Sequence, residues 1–251
     1  MDQVTQNALA MYDEFRVGHY SYGLKREQFE LFLLKFLDKF TKGRKLGDVG
    51  CGSGFGLDMY VRHGVPKEDI FGVDLSPKNI EDIKKKGFRA SVDNALSLQI
   101  EDNAFDFTVS NGLIQHTSDP FLAFKELVRI TKPSGFIYLA VYNALNPYYY
   151  FVHKMTFSIR YWYWNKDKRI LDFIFPIARI LMQPFSFLFF REFLDDRTAK
   201  TIFMDQVMTP RAYLFLKDDL RRYCTRCDAR IEEIRYIKHF LMVAAIIQVN
   251  K

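Results

Sequence analysis

Apolar side chains recur in two different rhythms along the first third of the chain. Residues 5–15 and 25–40 carry them at helical spacing, and in the longer segment they are Phe29, Phe32, Leu33, Phe36, Leu37 and Phe40. Residues 16–24 have no clear periodicity and predict either a flap over a ligand site or a plain linker. Short apolar runs at 45–49 and 70–74 predict buried strands, and each is followed by a helical pattern. This alternation predicts an α/β domain.

The same alternation continues further along the chain. Residues 121–130 predict an amphipathic helix, and residues 134–141 form the continuous apolar run of a buried parallel strand. Residues 217–224 predict another helix. The segments 231–237 and 241–249 then predict two closing strands that pair antiparallel.

A glycine-rich turn follows the first predicted strand. Gly50, Gly52 and Gly54 alternate with other residues, Cys51 among them, so the backbone can turn sharply and lie against a ligand near a helix N-terminus. The spacing differs from the Gly-x-Gly-x-x-Gly dinucleotide motif, and an ordinary tight strand–helix turn is the alternative. Asp74 ends the second predicted strand twenty residues after Gly54, where a carboxylate accepts the ribose hydroxyls of a bound nucleotide.

These motifs resemble those of the class I S-adenosylmethionine-dependent methyltransferases, most closely the group acting on small molecules and lipids. The matching segments are 48–54, 73–76, 92–95, 105–110, 113–116 and 132–135. The last is Lys-Pro-Ser-Gly, where the family has Lys-Pro-Gly-Gly. The resemblance covers about residues 40–142. It implies a three-layer α/β sandwich with a Rossmann-like, mostly parallel seven-stranded sheet. It also implies methyl transfer from S-adenosylmethionine to a small acceptor that is apolar, aromatic or lipid-like.

The resemblance implies a role in donor binding for several residues at the ends of the first four strands. They are Asp48, Gly50, Cys51, Gly52, Gly54, Asp74, Leu75, Asp93, Asn94, Ala95 and Asn111. Asp48 would hold the glycine loop and reach the methionine amine, and Leu75 would pack on the adenine. Asp93 would accept a hydrogen bond from the adenine amine, since an amine donor requires an acceptor. A turn-forming role is the alternative for Asp93.

His116 is the leading candidate for a catalytic base. A neutral imidazole near the methyl donor can take a proton from an acceptor hydroxyl or an acidic carbon. Hydrogen bonding within a loop is the alternative role. His19 and Tyr20 in the irregular N-terminal segment are further catalytic candidates, and Tyr142 is a candidate for acceptor binding. An amine acceptor would need no dedicated base.

About seventy residues after the fifth predicted strand depart from the family pattern. Residues 143–210 are rich in aromatic side chains, and 170–190 is almost wholly apolar. Two ionisable residues and two prolines within 170–190 argue against a membrane span. Three interpretations of this segment remain: interfacial helices on anionic headgroups, a helical cap packed on the core, and a wall of the acceptor pocket. We favour a cap that forms the pocket, with Asp205 and Gln206 binding the acceptor; a helix-end role is their alternative.

The chain therefore divides into four parts. We expect a helical flap at 1–40, the S-adenosylmethionine-binding core at 41–142, the aromatic cap insertion at 143–210, and the rest of the core sheet at 211–251. Contact of 143–200 with the periphery of a membrane and formation of a homodimer both stay open.

Composition narrows the remaining choices. The N-terminus lacks a signal-peptide pattern, and three cysteines are too few for a disulfide framework, so we expect a cytoplasmic protein, with the inner face of the membrane as an alternative. No metal-ligand cluster is visible, so no metal site is expected. A net charge of +6 permits nucleic acid without requiring it. The rival functions are an RNA- or protein-modifying methyltransferase and a non-catalytic S-adenosylmethionine-binding partner protein.

Overall fold

The computed structural model describes residues 1–15, 30–38, 43–190, 193–237 and 241–250. The irregular segment 16–24 of the predicted flap therefore lies outside the described residues, and so do its two catalytic candidates, His19 and Tyr20.

The described strands form one seven-stranded sheet in the order β3-β2-β1-β4-β5-β7-β6. The strands are β1 Leu46–Val49, β2 Ile70–Asp74, β3 Arg89–Val92, β4 Phe105–Asn111, β5 Thr131–Tyr142, β6 Ala229–Ile237 and β7 Met242–Val249. The neighbours from β3 to β5 are parallel, whereas β7 runs antiparallel to both β5 and β6. From β1, the strand order runs through β2 and β3 on one side of the sheet and through β4 and β5 on the other. At such a switch in strand order, a crevice opens above the carboxyl ends of the two central strands, here β1 and β4.

The described helices precede the first strand or lie between strands in the chain. They are α1 Gln3–Phe15, α2 Leu31–Leu37, α3 Phe55–Arg62, α4 Pro77–Lys85, α5 Pro120–Ile130, α6 Pro147–Met155, α7 Phe157–Asn165, α8 Ile170–Phe190, α9 Asp196–Gln206 and α10 Lys217–Arg226. The sequence Ser76-Pro77 predicts the N-cap and first position of α4. The structure confirms this start, since the Ser76 hydroxyl accepts the Asn79 N–H at 3.2 Å and Pro77 occupies the first turn.

Two apolar cores lie on opposite faces of the sheet. Phe36 of α2, Leu57 of α3 and Ile83 of α4 belong to one buried cluster. Phe124 of α5 and Leu220 of α10 belong to the other. Helices therefore cover both faces, which confirms the predicted three-layer α/β sandwich.

The segment between β5 and α10 contributes α6 to α9 and a third apolar cluster. In this cluster Met11 of α1 is buried with Tyr163 of α7, Leu171 of α8 and Phe203 of α9. The N-terminal helix and the insertion are thus packed on each other. The helix α8 coincides with the apolar run 170–190, and no helix among the described residues has the length and apolarity needed to cross a membrane.

Candidate active site

The glycine turn after β1 forms a cradle at the carboxyl edge of the sheet. Gly50, Gly52 and Gly54 have φ angles of +83°, +54° and +82°, which other residues adopt at a cost. The N–H groups of Gly50 and Cys51 donate to the carbonyl of Val73 at 2.7 and 3.0 Å, so the loop is fastened to β2. A Cβ atom at Gly52 would meet nothing within 4 Å, because this part of the cradle faces open space.

Asp74 links the cradle to the end of β2. Its carboxylate accepts the backbone N–H of Gly52 at 2.9 Å, the N–H of Ser76 at 2.9 Å and the Asn79 amide at 3.2 Å. Burial raises the pKa of Asp74 above its ordinary value. The oxygen that bonds Gly52 keeps room for a further donor such as a ribose hydroxyl. The Ser76 hydroxyl in turn donates to Asp13 of α1, which places α1 next to the cradle.

Two buried carboxylates lie on the other side of the cradle. Asp48 is 4% exposed and accepts a hydrogen bond from the Tyr60 hydroxyl at 2.9 Å. Burial raises the pKa of Asp48 to about 7, and the charges of Asp74 and Glu30 act in the same direction. Glu30, only 2% exposed, accepts a hydrogen bond of 3.1 Å from the amide of Asn111 at the end of β4.

Sequence reasoning did not identify Glu30. A glutamate in an amphipathic helix is usually placed on the solvated side. The available signal is its spacing, since Glu30 precedes the buried Leu33 and Leu37 by three and seven residues and so falls on the same helical face. Asn111, by contrast, lies at the end of β4 as predicted, and its role in donor binding stays a prediction.

The end of β3 contains the residues predicted to meet the adenine. Both carboxylate oxygens of Asp93 accept backbone N–H groups, from Asn94 at 2.8 Å and from Gln99 at 2.6 Å, so Asp93 forms a turn. The N–H of Asp93 donates to the carbonyl of Asp74 at 3.0 Å, which fixes this turn beside the cradle. Ala95 is buried and Leu75 is half-buried. Contact of these residues with an adenine stays a prediction.

His116 lies in a short 3₁₀ turn after β4 and is held by the segment that follows α9. Its Nδ1 lies 2.9 Å from the carbonyl oxygen of Arg211 and 3.2 Å from the Thr209 hydroxyl. A carbonyl can only accept, so Nδ1 carries the proton and Nε2 is the basic nitrogen. Burial lowers the pKa of His116, which keeps the ring neutral at pH 7.

An aromatic and polar group adjoins His116. The ring of Tyr142 meets the imidazole edge-on at 5.3 Å between centroids and stacks on Tyr149 at 4.2 Å. The Tyr149 hydroxyl donates to Gln206 at 3.2 Å, and the Gln206 amide donates to Asp205 at 2.6 Å. The structure therefore brings together the predicted base and the three predicted acceptor-binding residues, although they come from segments up to ninety residues apart.

Tyr12 of α1 packs against the third apolar cluster. Burial raises the pKa of the Tyr12 hydroxyl, and the negative charges of Asp205 and Asp74 raise it further. Local sequence patterns do not single out this tyrosine, because the position of α1 beside the cradle depends on tertiary contacts.

Several buried polar atoms at the ends of these elements lack a protein partner among the described residues. Asn111 Oδ1, Gln115 Oε1 and His153 Nε2 are such atoms. Buried polar groups of this kind are normally satisfied by water or by a ligand. Together with the open space at Gly52, they fit a polar ligand bound at the carboxyl edge of β1 and β4. Among the described residues, no group of three His, Cys, Asp or Glu side chains is arranged to hold a metal ion.

Comparison with known proteins agrees with this geometry. Residues 47–139 match the family described as "Methyltransferase domain". The chain is 29% identical over 121 residues to phosphoethanolamine N-methyltransferase 2 of Caenorhabditis elegans, an alignment covering 45% of this chain and 27% of the relative. It is 32% identical over 103 residues to a demethylmenaquinone methyltransferase of Staphylococcus aureus, covering 38% of this chain and 42% of the relative.

The aligned segments thus span less than half of these curated relatives. Among solved structures, an S-adenosylmethionine-dependent methyltransferase from Methanosarcina mazei superposes with a TM-score of 0.55 at 19% identity, covering 86% of this chain and 96% of that one. At this identity the superposition supports the fold alone.

Proposed function

We propose that this chain, whose residues 47–139 match a methyltransferase-domain family, is a class I S-adenosylmethionine-dependent methyltransferase that transfers a methyl group to a small acceptor with an apolar or aromatic body. The observation that carries the proposal is the arrangement of Asp74, the open glycine cradle and the buried Asp48 at one edge of the sheet. The acceptor class is our inference from the residues that surround His116.

The residues of the donor side suit a nucleoside that carries positive charge. S-adenosylmethionine, when bound, supplies a methyl group already activated by a positively charged sulfur. Asp74 would accept from the ribose hydroxyls, and the cradle at Gly52 leaves room for the nucleoside against the backbone. Asp48 and Glu30 would stabilise the methionine amine and the charged sulfur, since buried carboxylates favour nearby cations.

The residues of the acceptor side suit proton removal from a hydroxyl or an acidic carbon. With Nδ1 bonded to the Arg211 carbonyl, His116 would use Nε2 to take the acceptor proton. The acceptor would bond to the methyl carbon as the bond from that carbon to the donor sulfur breaks, with its electron pair left on the sulfur. The stacked rings of Tyr142 and Tyr149 would hold an apolar acceptor by its face. Asp205 and Gln206 would bind its polar end. The main contributions of the protein are therefore alignment and exclusion of water.

Turnover with methyl-labelled S-adenosylmethionine tests this proposal. The protein is incubated with separate pools of apolar small molecules and lipids, of RNA and of protein, and label is measured in each product. We expect label in the small-molecule or lipid pool, and we expect His116→Asn to lower the rate of labelling by about 10²-fold or more. Label in RNA or protein alone would contradict this acceptor class and indicate an RNA- or protein-modifying methyltransferase. Binding of the donor with no label in any pool would instead indicate a non-catalytic S-adenosylmethionine-binding protein.

A further inference from the structure

The outward face of α8 is apolar along most of the helix. Phe173, Ile177, Ile180 and Leu181 are 77%, 63%, 71% and 65% exposed, and Phe187 continues the stripe one turn beyond Pro184. These positions recur every three or four residues, so they line one side of the helix. A stripe of this length differs from the single exposed apolar residues that are common on protein surfaces.

The opposite face of α8 is apolar as well. Leu171 is buried, and Ile174, Phe175, Ala178 and Met182 pack against the third apolar cluster. The ring of Phe175 lies 5.9 Å from that of Phe203 on α9. A helix that is apolar on both sides is typical of one covered on both sides. The inward side is covered by the protein, so the outward side needs another cover.

The polar residues of α8 do not supply that cover. The Gln183 amide donates to the carbonyl of Leu194 and accepts the N–H of Leu194, both at 2.9 Å. Arg179 pairs with Asp196 at 2.5 Å. Both side chains therefore bind the segment that leads from α8 to α9.

An open groove runs along this part of the helix. It has a volume of about 480 Å³, and its lining includes Ile180, Pro184, Phe187 and Phe193. The rings of Phe187 and Phe193 stack at 5.1 Å, and Phe193 is 71% exposed. An apolar groove open to the surface fits a hydrocarbon chain better than a polar ligand.

The charge around the stripe favours an anionic cover. Residues 143–200 hold nine Lys or Arg and five Asp or Glu, so this part of the chain carries most of the net charge of +6. Lys166, Lys168 and Arg169, immediately before α8, are exposed. A second copy of the chain facing the same stripe would bring like charges together, which disfavours association.

We propose that the outward face of α8, with Phe193, binds the surface of an anionic lipid bilayer. The helix would lie in the plane of the interface, with its apolar stripe among the acyl chains and the neighbouring cations at the headgroups. Since no described helix is suited to crossing a membrane, this contact would be peripheral. The proposal concerns a surface on the insertion and stands apart from methyl transfer.

Vesicle co-sedimentation of the full chain tests the proposal. The vesicles are phosphatidylcholine alone and phosphatidylcholine mixed with phosphatidylglycerol. The variant Ile177→Gln/Ile180→Gln removes the centre of the stripe, and glutamine keeps the helix propensity. The matched control is Val61→Gln/Leu122→Gln, which changes two apolar residues that are 38% and 36% exposed on α3 and α5. Circular dichroism and thermal unfolding establish that both variants are folded.

We expect the native chain and the control to bind the mixed vesicles, more weakly at high salt. We expect the α8 variant to bind at least ~10-fold more weakly, because two large apolar side chains no longer enter the interface. Equal binding by the folded α8 variant would overturn the proposal. Absence of binding by the native chain to either kind of vesicle would also overturn it. In that case, sedimentation velocity tests whether the stripe is instead a dimer interface, which the α8 substitutions would disrupt.

Discussion

The Nδ1 atom of His116 lies 2.9 Å from the carbonyl oxygen of Arg211, a residue ninety-five positions later in the chain. This bond fixes the tautomer of the imidazole and joins the turn after β4 to the segment after α9. It also separates the two roles considered for His116, because Nδ1 serves the fold and Nε2 is the atom with basic character.

Replacement of His116 by asparagine distinguishes these roles. The asparagine amide can keep a donor near the Nδ1 position while the basic nitrogen is lost. With a hydroxyl or acidic-carbon acceptor, we expect kcat to fall by about 10²- to 10⁴-fold, the usual contribution of general base catalysis. Donor affinity and thermal stability should change little. Unchanged kcat would assign His116 a purely structural role.

The pKa of Asp48 predicts that donor binding depends on pH. Burial raises this pKa to about 7, and the amine of the donor requires the ionised carboxylate. Binding should therefore release a proton below neutral pH, and affinity should rise by up to ~tenfold per pH unit as the pH approaches 7. Isothermal titration in buffers of different ionisation enthalpy measures both quantities.

The variant Tyr60→Phe provides a second check on Asp48. The Tyr60 hydroxyl lowers the pKa of Asp48, so its loss should move the pH dependence of affinity upwards. The free energy of unfolding should depend on pH in the opposite sense to donor affinity. A folded-state pKa above the unfolded value makes stability fall as the pH rises from about 4 to about 7, after which this contribution is constant. A donor affinity independent of pH, with no proton release, would contradict the role of Asp48.

Gly52 offers a test of the cradle with a matched control. Gly52→Ala and Gly64→Ala both place a methyl group at positive φ where nothing lies within 4 Å, at +54° and +91°. Each should cost about 1 kcal/mol of stability or somewhat more through backbone strain. Only Gly52→Ala should weaken donor binding, by roughly tenfold or more, because its methyl group enters the space of the ligand. Equal donor affinity in the two variants would move the donor away from this loop.

The charge of Glu30 should strengthen donor binding and lower the free energy of unfolding. In Glu30→Gln the side chain keeps its shape, but its buried negative charge is removed. We expect donor affinity to fall by about tenfold, since one carboxylate facing the donor cations is lost. The free energy of unfolding should stay equal or rise, because burying a charge is costly. A loss of stability with unchanged affinity would show that Glu30 serves only to position Asn111.

Much of the fold could be predicted from local patterns. The apolar runs of β1, β2 and β5, the glycine turn and the N-cap at Ser76 are short-range features, and the structure confirms them. The resemblance to S-adenosylmethionine-dependent methyltransferases was likewise recognisable from ordered motifs, and residues 47–139 match a methyltransferase-domain family. Predicted boundaries were less accurate. β5 begins at Thr131 instead of residue 134, because Thr131 pairs with Phe105 across an irregularity in the ladder that a periodicity argument cannot detect.

The parts of the site that were missed depend on long-range packing. Glu30 reaches the site only because the start of α2 lies next to Asn111 at the end of β4, and α1 lies beside the cradle through the contact of Asp13 with Ser76. Likewise, the contacts of His116 with Thr209 and Arg211 depend on how the insertion returns to the core. The exposure of the α8 stripe could not be predicted either, since the apolar run 170–190 is equally consistent with a fully buried helix.

Isothermal titration with S-adenosylmethionine measures whether Asp74 and the glycine cradle bind the methyl donor. The native chain is compared with Asp74→Ala and with Glu81→Ala, which removes an exposed acid from the helix that follows Asp74. We expect binding by the native chain and by Glu81→Ala, and at least ~100-fold weaker binding by Asp74→Ala, since the Asp74 carboxylate accepts the Gly52 N–H and would also accept the ribose hydroxyls. Absence of binding by the folded native chain, or equal binding by all three proteins, would contradict the proposed donor site.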